Sequence, residues 1–272
     1  MTQPYEPPKT AEDPYGGGGN LTKGGKVPKL EFWRAFSFVT EHRKWMQNIL
    51  LATVIQQVPI VGGLVFYGYL YDMVKGMHNG PDPEKKEPYL EFKLDHFADL
   101  LSKGVAPFVA MLIATLGMLF MMFFFALIIS IPIAIVVALV AFGIAQATGE
   151  DVSKVMEAAA PVAGMVSIFL SLPLVGLFTR PMIMRAGLTQ KIGEAFKFGF
   201  VMDFVKRTWK EQLKAAFFMV FMGPLVLVLG MLLCFVGMYP AVTWTWYAYA
   251  HFDYQIYEIY LARGGEPVPF AA

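Results

Sequence analysis

One cysteine, Cys234, among 272 residues excludes an internal disulfide framework and any metal site built on several thiolates. Charge is nearly as scarce. Only 16% of residues are Asp, Glu, Lys or Arg, against about a quarter in ordinary soluble domains. The stretch from Gly104 to Gly149 has none across 46 residues. A net charge of +1 gives no global attraction to nucleic acid. Ser130, Ser167, Ser171 and Cys234 lie in apolar runs with no base beside them, so the nucleophile–base pair of covalent catalysis is missing. The sequence reads as a non-enzyme with no cofactor motif.

What the chain has instead is apolar surface, at 56% of residues. A hydrocarbon core about 30 Å thick needs roughly 20 apolar residues in a helix. The charge-free run therefore holds about two crossings, with Ser130, Ile131 and Pro132 as the place to turn. A soluble helix apolar on every side would have nowhere to bury that surface. This is the pattern of an integral membrane protein.

Residues 1–30 are rich in Pro, Gly and Lys, including the run Gly16 to Gly19, and read as a disordered tail. A helical membrane domain over 31–263 follows, then a flexible C-terminal tail over 264–272. Arg43, Lys44 and Trp45 suit a membrane interface. The run Met46 to Val74 is interrupted at Gln56, Gln57, Pro59, Gly62 and Gly63. It reads either as one helix of about 43 Å or as a shallow hairpin turning at Pro59. After Pro88, Leu90, Leu94, Phe97, Ala98 and Leu101 recur at helical spacing, the pattern of an interfacial helix. A second interfacial helix, capped by Thr189, carries Ile192, Phe196, Phe200 and Val205. The last apolar run, from Ala215 to about Tyr249, ends in Trp244, Trp246, Tyr247 and Tyr249.

Three places share a local pattern: Pro59-Ile60-Val61-Gly62, Pro173-Leu174-Val175-Gly176 and Cys234-Phe235-Val236-Gly237. With Gly63 and Pro240 they supply the hinge candidates, because Gly permits close backbone approach and positive φ without strain.

These features resemble the bacterial and archaeal membrane family called domain of unknown function 4013. The matching residues are Arg43-Lys44-Trp45, Val58-Pro59-Ile60-Val61-Gly62 and Gly68-Tyr69-Leu70. Phe97-Ala98-Asp99-Leu100, Lys103-Gly104, Gly193 to Phe204 and Leu232 to Tyr239 complete the set. Glu87-Pro88-Tyr89-Leu90 only loosely echoes the family's Leu-Pro-Glu-Trp-like loop motif. The resemblance implies an architecture and no activity.

The expected fold is all-α: a polytopic bundle of about six spans with Pro/Gly-broken helices and two interfacial amphipathic helices. Six crossings with the N-terminus inside place 16 of the 22 Lys and Arg residues on the inner side. Shallow hairpins would instead leave every charged loop cytoplasmic. Both arrangements put both termini in the cytoplasm of a cell whose inner membrane holds the chain.

Three clusters are candidates for more than packing. Asp95, His96 and Asp99 fall on one helical turn, but without a second ligand cluster they read as a solvated face and not as a metal site. Lys206, Arg207, Lys210 and Lys214 suit anionic lipid headgroups. Arg180 and, on the final helix, His251, Asp253, Tyr254 and Glu258 form a polar cluster at matching depth, in which Arg180 pairs with Asp253 or Glu258. The function that fits is a structural or partner-binding membrane module in contact with lipid and with a protein partner or a second copy. A small transporter or channel subunit is the alternative.

Overall fold

The charge-free run folds as one helix. In the computed structural model, which describes residues 27–80, 87–233 and 235–271, α4 extends from Phe97 to Thr148 without a break at Ser130–Pro132. At 52 residues it is about 78 Å long. The turn expected there does not form, for a physical reason. An interior proline forfeits one ladder hydrogen bond, whereas a turn leaves up to about four backbone groups unpaired at each helix end. Lipid offers those groups no partner.

Before α4 come α1 (Arg34–Glu41), α2 (Trp45–Gln56) and α3 (Val61–Asn79). After it come α5 (Val152–Thr189), α6 (Phe198–Met231) and α7 (Met238–Ala262). Short 3-10 turns, Leu94–His96 and Ile192–Phe196, precede α4 and α6. The described residues contain no strand. Among the described residues three helices, α4 with its leading turn, α5 and α6, are long and apolar enough to cross a membrane.

The two interfacial helices are not separate elements. Residues 90–93 are not helical, and Tyr89 and Phe92 are buried in the core. Thr189 closes α5 by donating to the Arg185 carbonyl and does not open a new helix. The second amphipathic stretch is divided between the 3-10 turn Ile192–Phe196 and the first half of α6.

The 46–74 run forms two helices with a turn at 57–60, so the hairpin reading describes its shape. A core of large aromatics, including Tyr69, Phe92, Phe204, Tyr247 and Tyr260, joins α1, α2, α3, α6, α7 and the end of α5. Out from it runs the α4–α5 hairpin. There Ala114, Ala141, Ala145, Ser167 and Ser171 are buried, while Phe120, Phe123, Leu139, Val162 and Met165 are exposed. Small residues let the two backbones approach, and the large ones face outward.

Residues 1–26 of the expected disordered tail lie outside the described residues, as does Cys234. The C-terminal segment, expected to be flexible, is docked. Val268 N–H donates to Tyr257 Oη at 2.8 Å, Ala271 N–H donates to the Leu188 carbonyl at 2.9 Å, and Phe270 packs on His78. A left-handed Gly264 (φ 76°) turns the chain back, and Val268 supplies a buried anchor.

Candidate functional site

Polar side chains inside this apolar chain concentrate around α7, and neighbouring helices meet them one by one. Arg180 on α5 reaches Asp253: Nε lies 2.6 Å from Oδ1, and both side chains are largely shielded, at 13% and 15% exposed. The guanidinium also lies 5.6 Å from the centre of the Tyr249 ring. Beside the pair, Tyr67, Tyr71, Trp246 and Asp253 border a cavity of about 40 Å³. One water needs roughly 10–15 Å³, and organic-ligand pockets begin near 300 Å³. The space suits solvent and not a substrate.

The remaining candidates of this cluster diverge. His251 faces α1, where its ring packs 4.4 Å from Phe38 and its Nδ1 lies 2.8 Å from Gln255 Nε2. Gln255 in turn accepts from the Glu31 backbone N–H at 2.7 Å and donates to the Glu31 carbonyl at 3.0 Å. Tyr254 lies 5.8 Å from His251. Glu258 pairs with His78 at the end of α3. The expectation that all of these line one contact with Arg180 is therefore corrected. Asp253 points about 160° away from His251, and Glu258, on the same face as His251, lies about 10 Å further along the helix, so the three meet different neighbours.

Hinge candidates divide in the same way. Pro59 lies in the α2–α3 turn. Gly62 packs on the Ile55 carbonyl, and Gly63 meets the Phe108 ring of α4. Gly237 packs on the Gly230 carbonyl, and Pro240 sits in the first turn of α7. Pro173 and Gly176 lie inside continuous α5, and a Cβ on Gly176 would meet nothing within 4 Å, so they form no hinge.

Of the four headgroup candidates, Arg207 is taken by Asp203, with Nε 2.9 Å from both carboxylate oxygens, and by the Arg263 carbonyl. Lys206, Lys210 and Lys214 stay exposed at four-residue spacing along α6, and Lys210 lies 5.5 Å from the Trp209 ring. Asp99 pairs with Lys103 at 2.8 Å, and no group of three metal-ligating side chains forms among the described residues.

Several contacts carried no sequence signal as pairs. Gly68 and Gly104 meet where α3 crosses α4. A Cβ on Gly104 would lie 1.7 Å from the Leu64 carbonyl oxygen, and one on Gly68 2.0 Å from that of Leu100. Lys103 bonds Asp72 at 2.7 Å beside this crossing. Asn48, fully buried on α2, accepts from Phe92 N–H through Oδ1 and from Tyr247 Oη through its carbonyl.

At the edge of the core His42 is buried, accepts from Lys44 N–H at Nδ1 and so carries its proton on Nε2 when neutral. Burial pulls its pKa below 6.5, against the opposing pull of Glu87 and Glu91. The unfolded chain then takes up the proton first as pH falls. The contribution of His42 to stability is complete above the unfolded value and is lost as pH falls through the folded one. Melting in detergent should weaken as pH falls below about 6.5, and His42→Gln should flatten that dependence. An unchanged slope in the variant would remove His42 as its source.

The family model for a protein of unknown function, DUF4013, matches residues 51–236. No curated protein and no solved structure matches the chain. The matched range runs from α2 through the crossing glycines and the α4–α5 hairpin to the turn before α7. The chain belongs to the DUF4013 family.

Proposed function

We propose that this is a multi-pass protein of a prokaryotic inner membrane, with both termini cytoplasmic, that serves as a structural or partner-binding module. The observation carrying this reading is the closed packing of the α4–α5 hairpin. Its two helices meet on alanine and serine, and two helices packed backbone to backbone enclose no passage. Lys154 is the only Lys or Arg between residues 104 and 179, so the bias for cations on the inner side favours putting the α4–α5 turn outside. The exposed Lys206, Lys210 and Lys214 then face anionic headgroups of the inner leaflet.

The Arg180–Asp253 pair favours the alternative of a small transporter or channel subunit, since ionisable groups at membrane depth mark substrate paths by default. Reconstituted protein separates the two. The module reading expects proteoliposomes to stay tight to K⁺, Na⁺ and protons, and one partner to co-purify from native membranes. Cation flux that disappears with Asp253→Asn would replace it with the transporter reading. Orientation is tested in a Cys234→Ala background. Glu150→Cys should react with an impermeant maleimide on intact cells, and Asn79→Cys only after lysis. The reverse pattern would invert the topology.

A further inference from the structure

The turns ending the α2–α3 and α6–α7 hairpins are two copies of one device. Ile60 and Phe235 both have positive φ, 62° and 61°. Each stands two residues before a glycine, Gly62 or Gly237, that packs on the carbonyl of the residue seven positions earlier, Ile55 or Gly230. At Ile60 the backbone (φ 62°, ψ −62°) makes a γ-turn of the rare, strained kind, closed by Val61 N–H donating to the Pro59 carbonyl at 2.7 Å. A water-facing turn with this geometry would take Gly or Asn. Here it carries Ile and Phe, 69% and 71% exposed. Leu232, Leu233 and Val236 are exposed to 75%, 70% and 72%.

We infer that both hairpins are re-entrant. They enter the bilayer from the side that holds the termini and stop within its hydrocarbon, and the ligand of their tips is the acyl chains of lipid. Four observations carry this, and it rests on the membrane reading above.

Reach is the first. α2 has 12 residues, about 18 Å, against a hydrocarbon core of about 30 Å. α6 is long enough in all, but its first half carries Lys206, Lys210, Glu211 and Lys214. Its charge-free limb, Ala215–Met231, covers about 25 Å. The second observation is charge: none occurs in 46–71 or in 215–252, tips included.

Third, most described N–H groups of the two turns are satisfied locally. Leu232, Leu233, Phe235, Gly237, Met238 and Tyr239 all donate their N–H groups to carbonyls within the turn or the helix before it. Gln57, Val58, Val61 and Gly62 do the same. A turn in lipid requires this and one in water does not. Fourth, the tips share one end of the molecule. The end of α2 meets the start of α7 through Thr53 and Thr243, whose hydroxyls are 2.8 Å apart, while Asn48 meets Tyr247 further back.

Only the α4–α5 hairpin then reaches the opposite face. The charge-free part of α5 between Glu157 and Arg180 is 22 residues, about 33 Å, one hydrocarbon thickness. The protein thus displaces lipid unequally, with six helical limbs in the leaflet on the side of the termini and two in the other.

The test places a nitroxide on single cysteines at Ile60 and Phe235 in full-length Cys234→Ala protein, reconstituted in phosphatidylethanolamine–phosphatidylglycerol vesicles. Val58→Cys and Val236→Cys serve as second positions should the turn residues not tolerate change. The expected result is high accessibility to oxygen and little to a water-soluble nickel complex at both tips, with the reverse at Glu150→Cys. Impermeant maleimide should label neither tip from either side. Labelling of a tip from the face opposite the termini would overturn the inference by making that hairpin a full crossing. Should Glu150→Cys and both tips all be labelled only from the side of the termini, the membrane-spanning reading itself would fall.

Discussion

Gly104→Leu should prevent α3 and α4 from packing, and so cost the protein its fold. A Cβ at this position would lie 1.7 Å from the Leu64 carbonyl oxygen, a backbone atom that cannot swing aside. Overpacking a core costs about 1–3 kcal/mol when side chains can adjust. Here two helix axes must part, and Gly68, the Lys103–Asp72 bond and the aromatic core behind them part too. Removing a glycine from a helix interior works the other way, by roughly 0.8–1 kcal/mol, so the sign of the result reads the contact. Gly117→Leu, on the same helix with nothing within 4 Å of its Cβ, gains that propensity without the clash. Thermal melts in detergent should show Gly104→Leu as aggregated or strongly destabilised and Gly117→Leu at or slightly above the parent. Equal melting of the two would mean that α3 and α4 do not meet at this crossing.

Hydropathy made the class of the fold legible, because a run without charge from Gly104 to Gly149 has one physical outlet. It could not show where that run turns. Pro132 and Pro59 look equally able to break a helix, yet α4 passes through the first and the chain folds back at the second. The difference lies in what each alternative leaves unpaired, which depends on neighbours distant in sequence. The same holds for the Val-Gly pattern. Gly62 and Gly237 sit beside a carbonyl seven residues back, whereas Gly176 lies inside the unbroken α5, which packs on α4. Gly68 and Gly104 both fall in the segments that carry the family resemblance, but one chain cannot reveal that they touch. His78 was hidden for another reason. It lies in the last turn of α3, and its partner Glu258 lies 180 residues away.

Depth along the helices was enough to bring Arg180 and Asp253 together, and reversing the charges reads the strength of that contact. Arg180→Glu places a second carboxylate beside Asp253 in a site where both side chains are shielded. Breaking a buried pair by losing one partner costs about 3–5 kcal/mol, far above the 0–1 kcal/mol of a surface pair. The single variant should therefore melt well below the parent in detergent. Adding Asp253→Arg restores opposite charges at the same depth and should recover a coupling above about 1 kcal/mol. Recovery stays partial, because an arginine on α7 cannot reproduce the stacking of Arg180 on the Tyr249 ring. Glu258→Arg supplies the control. Glu258 belongs to His78 and not to Arg180, so this second change should add its own cost to that of Arg180→Glu and rescue nothing. Rescue by Glu258→Arg, or strict additivity with Asp253→Arg, would show that Arg180 is held elsewhere than at Asp253.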